Sequence, residues 1–216
     1  MRPLLSALQK GLDALGLSLT DEQQGKLLDY MDLIAKWTKV YNLTAVRDAD
    51  EMLTHHLLDS LAVVAPLRRE LAKLNLQTEP AELLDVGAGA GLPGVVIAIT
   101  CPEVSVTCVD TVAKKAAFIQ QVAATLKLPN LKGLHARVET LTQPYDVVCS
   151  RAFASLVDFT TWSQAALAAH GVWMAMKGKH PDQELAQLPQ NVHVFHVERL
   201  QVPGLHAERC IIWMRG

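Results

Sequence analysis

Long hydrophobic runs are missing from this chain of 216 residues, although half of its residues are hydrophobic. The longest uninterrupted apolar runs, residues 61–67 and 95–99, fall far short of the roughly 18 residues that a membrane-spanning helix needs. Near the amino terminus, Lys10 and Asp13 interrupt the apolar residues too early for a signal-peptide core. We therefore expect no membrane partner and a location in the cytoplasm.

Net charge and paired cysteines are scarce as well. The 20 basic residues nearly balance the 22 acidic ones, which leaves a formal net charge of −2. A strongly basic composition would indicate a nucleic-acid partner, so any contact with RNA must rest on local patches here. Low net charge with high apolar content excludes a disordered chain. The cysteines show no CxxC pair and no metal-finger spacing, which predicts buried small hydrophobic residues; they are Cys101, Cys108, Cys149 and Cys210.

The first 80 residues are predicted to form a helical region. Leucines recur at helical spacing as far as Gly16, and Thr20 begins a capping box with Gln23 ahead of a second helix. A third helical stretch is predicted over residues 50–67. Residues 73–80 are polar and end in a proline, which predicts a linker.

From residue 81 onwards, short apolar runs alternate with helical segments, which is the pattern of strand-helix-strand units and a parallel sheet. The expected strands are 82–86, 105–110, 131–135, 145–150 and 171–176, and the expected helices are 93–100, 112–127 and 155–169. Two further strands, 192–202 and 208–214, are joined by Pro203 and Gly204 and predict a closing hairpin. We therefore expect a helical region, 1–80, and an α/β domain, 81–216.

A glycine-rich loop in residues 83–94 (LLDVGAGAGLPG) joins a predicted strand to a predicted helix. Gly87, Gly89 and Gly91 let the backbone turn sharply and let a ligand approach the main chain. Asp110 ends the next strand, 19 residues after Gly91, where an acidic side chain accepts hydrogen bonds from both ribose hydroxyls. The pattern predicts an adenosine-containing ligand rather than a tight turn without one.

Asp85 stands two residues before the first glycine and bears on which ligand is bound. A carboxylate there would repel the pyrophosphate of a dinucleotide, because a pyrophosphate favours a helix N-terminus with no carboxylate nearby. It suits the sulfonium and the α-amino group of S-adenosylmethionine, so charge favours that cofactor over NAD. The alternative is a solvated carboxylate at the end of a strand.

Further motifs make a family resemblance specific: residues 42–45 (NLTA), 56–61 (HLLDSL), 85–94 (DVGAGAGLPG), 150–154 (SRAFA) and 177–178 (KG). Over nearly its whole length the sequence resembles the bacterial ribosomal RNA small-subunit methyltransferase G family, also called glucose-inhibited division protein B. The resemblance implies a class I S-adenosylmethionine-dependent methyltransferase fold. That fold is Rossmann-like, with a mostly parallel seven-stranded sheet that ends in an antiparallel hairpin, and here it carries an N-terminal helical extension.

The implied reaction is transfer of a methyl group from S-adenosylmethionine to N7 of a guanine in the 16S rRNA of the bacterial small subunit. Ala88 and Ala90 stand where relatives often carry threonine, serine or proline, which removes a possible hydroxyl contact. The resemblance adds four cofactor-binding residues to those argued above from the loop and from Asp110. The full expected set is Asp85, Gly87, Gly89, Gly91, Leu92, Asp110, Val138, Glu139 and Arg151. The residues implied to line the mouth of the pocket, towards the RNA, are Asn42, His56, Asp59 and Ser60.

Guanine N7 carries an in-plane lone pair in the neutral base, so no general base is required before it attacks the methyl group. Catalysis is expected from holding N7, methyl and sulfur in line, which supplies roughly 7–11 kcal/mol. Arg151 is the expected catalytic residue. A bidentate contact to O6 and N7 would block the reacting lone pair, so Arg151 is expected to hold O6 alone, the cofactor carboxylate or a phosphate. An ordinary surface arginine is the alternative.

Basic residues follow two of the predicted strands at the edge where open α/β sheets bind ligands. Lys114, Lys115 and Lys177 are expected to contact RNA phosphates, with solvated lysines as the alternative. The pair His55 and His56, followed by Asp59, invites a metal site. Adjacent histidines on a helix point about 100° apart and further ligands are not apparent, so we expect capping or packing and no metal.

Aromatic residues are expected mainly in the core. Trp37 and Tyr41 would be able to stack on a base, but their helical spacing with Ile34 favours packing. The remaining tryptophans, at positions in predicted helix or strand interiors, are assigned to the core: Trp162, Trp173 and Trp213.

Two other functions stay open at this point. One is a class I methyltransferase that acts on a small molecule or a protein, which the acidic overall charge favours. The other is a non-enzymatic module that senses the cofactor or binds RNA, against which the intact glycine loop and Asp110 argue. For the favoured function we expect a monomer whose partner is 16S rRNA or the small ribosomal subunit.

Overall fold

The computed structural model describes residues 2–46, 48–74, 76, 80–153 and 155–216. Ala154 of the 150–154 motif and residues 75 and 77–79 of the predicted linker lie outside the described residues. Within the described part, no helix combines the length and the apolar character that crossing a bilayer requires.

The helical region opens with α1 (Arg2–Leu15) and α2 (Asp21–Tyr41). The predicted capping box is confirmed: Thr20 Oγ1 accepts from the Gln23 N–H at 3.2 Å, and Gln23 Oε1 accepts from the Thr20 N–H at 3.0 Å. The side-chain amide of Gln23 also donates to the carbonyl of Ile99 at 3.1 Å. The cap of α2 therefore also fastens the helical region to the α/β part of the chain.

The third helical stretch is not the single helix expected over residues 50–67. It consists of α3 (Ala49–Met52), a π-helical turn (Leu53–Leu58), α4 (Asp59–Leu61) and α5 (Val64–Leu71). The Asp59 N–H donates to the carbonyls of Thr54 and His56 and not to the carbonyl of His55, which would be its acceptor in an α-helix. The wider turn keeps the apolar residues on the core side, which is why the apolar spacing alone did not reveal it.

In the described part of the chain, seven strands form one sheet in the order β3-β2-β1-β4-β5-β7-β6. Strands β1 to β5 pair in parallel, and β7 runs antiparallel to both β5 and β6. All five predicted parallel strands and the closing hairpin are confirmed. The strands are β1 (Ala81–Val86), β2 (Val104–Asp110), β3 (Leu131–His135), β4 (Tyr145–Arg151), β5 (Leu167–Lys177), β6 (His193–Leu200) and β7 (Arg209–Arg215).

The remaining helices connect these strands: α6 (Gly94–Thr100), α7 (Ala113–Thr125), α8 (Leu156–Ser163) and α9 (Asp182–Leu185), with 3₁₀ turns at Val138–Thr140 and Gln164–Ala166. The helix predicted over 155–169 is too long, because residues 167–169 belong to β5 and Leu167 pairs with Tyr145 of β4. Sheet pairing overrides the helical preference of the leucine and two alanines there.

Two apolar clusters fill the two faces of the sheet. The larger cluster joins Leu8 of α1 and Leu27 of α2 to sheet and α6 residues, so the helical region and the sheet share a core. All four cysteines are free and buried, as expected. The order of the strands places a topological switch between β1 and β4, and open α/β sheets bind ligands at the carboxyl ends of such strands.

Candidate active site

The glycine loop after β1 depends on backbone conformations that favour glycine. Gly87, Gly89 and Gly91 have φ angles of 66°, 60° and 91°. The Gly89 N–H donates to Asp110 Oδ2 at 3.0 Å, and Asp110 Oδ1 accepts from the Val112 N–H at 2.8 Å. Asp110 therefore holds the glycine loop against the end of β2 and the start of α7.

Asp85 lies beneath this loop rather than at its surface. Its side chain is fully buried, and Oδ2 accepts from the Gly94 N–H at 2.8 Å. Burial raises the pKa of Asp85 from 3.8 to about 7. The carboxyl group supports the loop from inside, so a solvated strand end does not match its position, and the expected contact with the cofactor stays a prediction.

A cavity of about 300 Å³ opens beside the loop, and we call it the loop cavity. It brings together four of the expected cofactor-binding residues, Gly87, Asp110, Val138 and Glu139. A Cβ atom at Gly87 would lie 3.8 Å from Phe153 Cδ2, so the missing side chain leaves room within the cavity. The other side chains that line it include Val86, Val109, Val112, Lys115, Arg137, Phe153 and Trp162.

Gly89, Gly91 and Leu92 are not among the residues that line the loop cavity. Leu92 is buried, and a Cβ at Gly91 would stand 2.4 Å from Val95 Cγ2. These positions set the shape of the turn and its packing on α6, while Gly87 faces the cavity.

A second cavity, of about 430 Å³, is lined in part by residues 151 and 152. We call it the arginine cavity because Arg151 and Arg209 line it together with His55, His56, Asp59, Lys177 and four smaller or apolar neighbours. Arg151 and Ala152 face this cavity, whereas Phe153 faces the loop cavity. Ala152 has a φ of 61°, an unusual value for a residue with a side chain. The two cavities therefore meet at one short segment of chain after β4.

Asp59 joins two arginines in the arginine cavity. Arg151 Nη1 donates to Asp59 Oδ2 at 3.1 Å, and Arg209 Nε donates to Asp59 Oδ1 at 2.9 Å. Arg151 Nη1 also donates to the carbonyl of His55 at 3.1 Å. This is the carbonyl to which the Asp59 N–H does not donate, because of the π-helical turn. Arg209 was not predicted from the sequence, because it lies 150 positions from its partner and belongs to no recognised motif.

The surroundings of His56 favour its neutral form. Its Nε2 lies 2.6 Å from Thr44 Oγ1, and burial, followed by the charge of Arg151, lowers the pKa of His56 below its usual value. Ser60 was expected to line the pocket mouth, but its side chain is fully buried and faces the core. Asn42 ends α2 in a left-handed conformation on the surface and does not line the arginine cavity.

The three lysines expected to contact RNA differ in their surroundings. Lys177 Nζ forms an ion pair with Glu184 at 2.8 Å, so its charge is already compensated within the protein. Lys115 Nζ lies 3.8 Å from Asp110 Oδ2 and lines the loop cavity. Lys114 Nζ stands 5.0 Å from the centre of the Tyr41 ring. Among the described residues, no group of three or more His, Cys, Asp or Glu side chains is arranged to hold a metal ion.

The tryptophans divide between core and surface. Trp173 and Trp213 are fully buried, as predicted, and Trp37 packs against Phe118 with ring centres 5.2 Å apart. The core assignment of Trp162 is wrong, because its side chain is 42% exposed. On α8 the buried residues are Leu156, Phe159, Thr160 and Ser163, which leaves Trp162 on the outer face of the helix. Tyr41 is also exposed, at 43%.

Comparison with known proteins identifies the family. The family model described as rRNA small subunit methyltransferase G matches residues 23–212. The chain belongs to this family. It is 75% identical over 208 residues to the ribosomal RNA small subunit methyltransferase G of Polaromonas sp. strain JS666, across 96% of this chain and 92% of the relative. It is 68% identical to the protein of that name in Albidiferax ferrireducens, across 100% of this chain and 98% of the relative.

Solved structures agree on the fold of this member of the methyltransferase G family. TrmN from Thermus thermophilus gives a TM-score of 0.55 at 16% identity, over 76% of this chain and 53% of that chain. A SAM-dependent methyltransferase from Aquifex aeolicus gives 0.54 at 14% identity, over 77% of this chain and 93% of that chain. At these identities the likeness concerns the fold alone, which is the class I methyltransferase fold.

Proposed function

We propose that this chain transfers a methyl group from S-adenosylmethionine to N7 of a guanine in the 16S rRNA of the small ribosomal subunit. The observation that carries the proposal is the pair of cavities that meet at residues 151–153 in a member of the methyltransferase G family. The loop cavity suits the cofactor, and the arginine cavity suits a polar, anionic acceptor.

The residues of the loop cavity fit S-adenosylmethionine. Both Asp110 oxygens accept one backbone N–H each, and a carboxylate oxygen has a second lone pair, so the group retains capacity for ribose hydroxyls. Gly87 offers bare backbone to the cavity. When bound, the cofactor supplies an electrophilic methyl group on a sulfonium sulfur.

The arginine cavity fits an acceptor that needs no deprotonation. Both oxygens of Asp59 are occupied by Arg151 and Arg209, and His56 Nε2 is occupied by Thr44. Guanine N7 attacks with a lone pair that it already carries, so the reaction needs no group here to remove a proton, and the cavity has only to bind and orient the base. As methyl transfer makes the base positive, the Asp59 carboxylate offsets part of the charge of the two arginines.

The test is transfer of labelled methyl from S-adenosylmethionine to small-subunit particles and to naked 16S rRNA, both from a strain that lacks the modification. Digestion to nucleosides is expected to yield labelled 7-methylguanosine. Another labelled nucleoside would leave rRNA methylation standing and overturn the N7 assignment. Measurable cofactor binding without transfer to either RNA would favour a small-molecule or protein acceptor.

A further inference from the structure

Trp162 is a large aromatic side chain on the outer face of α8 that stands at the loop cavity. Its ring packs edge-on against Phe153, with ring centres 5.6 Å apart, and Phe153 packs in turn against the buried Phe159 at 5.6 Å. The exposed ring is thus fixed in place by a chain of aromatic contacts that reaches the core. Isolated exposed aromatic residues need no explanation, but this ring is held at the edge of a cavity.

The loop cavity has polar and apolar parts. Asp110 and the backbone of Gly87 are at the polar part, and Val138 and the two aromatic rings supply apolar surface. Among the described residues, Phe153 and Trp162 are the aromatic side chains that line this cavity. A ligand that pairs a hydroxylated sugar with a flat heteroaromatic ring matches both parts, because a flat ring gains most from aromatic and apolar faces.

We infer that Trp162, supported by Phe153, binds the adenine ring of the cofactor in the loop cavity. The inference rests on the proposed function, since it assumes an adenosine-containing cofactor. It adds a cofactor-binding residue outside the glycine loop and outside the motifs in the sequence. It also explains why a tryptophan on α8 stays at the surface instead of joining Trp173 and Trp213 in the core.

The four tryptophans make a direct test possible through intrinsic fluorescence. Trp173 and Trp213 are fully buried, and Trp37 packs on Phe118 and Tyr41 from α2. Trp162 alone among the four lines the loop cavity within the described residues. Its emission is therefore expected to report binding of S-adenosylhomocysteine, a non-reacting analogue of the cofactor.

Wild-type protein is expected to change its tryptophan emission when S-adenosylhomocysteine is added. Adenosine alone is expected to give the same change at higher concentration, and methionine none. Trp162→Phe should remove most of the change while calorimetry shows a dissociation constant within about threefold of wild type, because phenylalanine keeps an aromatic face. Trp162→Ala should raise the dissociation constant about tenfold, equivalent to about 1.4 kcal/mol.

Trp37→Phe is the matched control and should retain both the emission change and the affinity. An emission change that survives in Trp162→Phe, or unaltered affinity in folded Trp162→Ala, would overturn the inference. If Trp162→Ala instead weakened only the binding of small-subunit particles, the ring would belong to the RNA interface and the inference would fail. Failure of the wild-type protein to bind the analogue at all would contradict the proposed function itself. Because Trp162→Phe conserves the packing on Phe153, the fluorescence result stands even if the alanine variant does not fold.

Discussion

The guanidinium of Arg151 donates to the carboxylate of Asp59 at 3.1 Å, although 92 positions separate the two residues in sequence. Asp59 belongs to the helical region, and Arg151 ends β4. The same carboxylate accepts from Arg209 of β7 at 2.9 Å. One buried carboxylate therefore joins three distant parts of the chain around the arginine cavity.

Replacing Asp59 with asparagine should lower the free energy of unfolding by about 1–3 kcal/mol, because two charge-assisted hydrogen bonds lose their anionic acceptor. Urea denaturation measures the change. Glu103→Gln is the control. Glu103 pairs with Arg68 and its side chain is 55% exposed, and exposed ion pairs contribute at most about 1 kcal/mol to the free energy of unfolding. Equal effects of the two substitutions would contradict the structural importance of the Asp59 contacts.

Arg151→Ala should reduce methyl transfer by about 100-fold while the fold remains intact, a loss comparable to removal of one positioned hydrogen-bond donor in other enzymes. Labelled-methyl transfer and thermal unfolding check the two parts separately. Arg69→Ala serves as the matched control, because Arg69 pairs with Glu198 outside both cavities and is half exposed. Near-normal turnover of Arg151→Ala would end its assignment as the catalytic residue.

Gly87→Ala and Gly16→Ala form a pair that separates backbone strain from loss of the cavity. The two glycines have φ angles of 66° and 65°, so each alanine should cost about 1–2 kcal/mol of stability. Gly16 has no atom within 4 Å of its hypothetical Cβ, whereas Gly87 lines the loop cavity. Only Gly87→Ala should weaken binding of S-adenosylhomocysteine, measured by calorimetry. Equal affinity in the two variants would exclude a close approach of the cofactor to Gly87.

The buried carboxyl group of Asp85 should make stability depend on pH. Burial raises its pKa to about 7 from 3.8, so between about pH 4 and pH 7 the folded state holds a proton that the unfolded state has released. The contribution of Asp85 to stability therefore falls as pH rises through this window, by at most about 1.4 kcal/mol per unit, and is constant above it.

Urea midpoints of wild type and Asp85→Asn across this window test the effect. The stability of Asp85→Asn relative to wild type is expected to rise with pH up to about pH 7. Asp13→Asn, which alters an exposed carboxylate on α1, should run parallel to wild type. Parallel curves for Asp85→Asn as well would show that the buried group keeps an ordinary pKa.

Salt dependence of RNA affinity distinguishes the lysines. If Lys114 and Lys115 contact phosphates, each alanine substitution should lower the slope of log affinity against log salt by about 0.7–0.9. Lys177→Ala should change it less, because Glu184 already compensates that charge. Lys10→Ala on α1 is the control. Unaltered slopes for Lys114→Ala and Lys115→Ala would identify both as solvated surface lysines.

The sheet was predictable from sequence because its signals are local. The five parallel strands are short apolar runs, and the glycine loop and Asp110 mark the ends of β1 and β2. Leucine spacing and the Thr20 capping box likewise predicted the first two helices. Each of these elements is determined by residues that are neighbours in sequence.

The parts that sequence reasoning missed depend on contacts between distant residues. Arg209 reaches Asp59 only when β7 lies beside β5, and Lys177 meets Glu184 only in the folded chain. The exposure of Trp162 depends on which face of α8 meets the sheet. Apolar spacing also could not separate a π-helical turn from an α-helix over residues 53–58.

The strand order has a consequence for the order in which the sheet is assembled. Within the described residues β6 pairs only with β7, and β7 lies between β6 and β5 although it follows β6 in sequence. Because β7 separates β6 from β5, β6 joins the sheet only through β7. Since β7 also carries Arg209 to Asp59, the arginine cavity is completed only when residues 209–215 have taken their place beside β5.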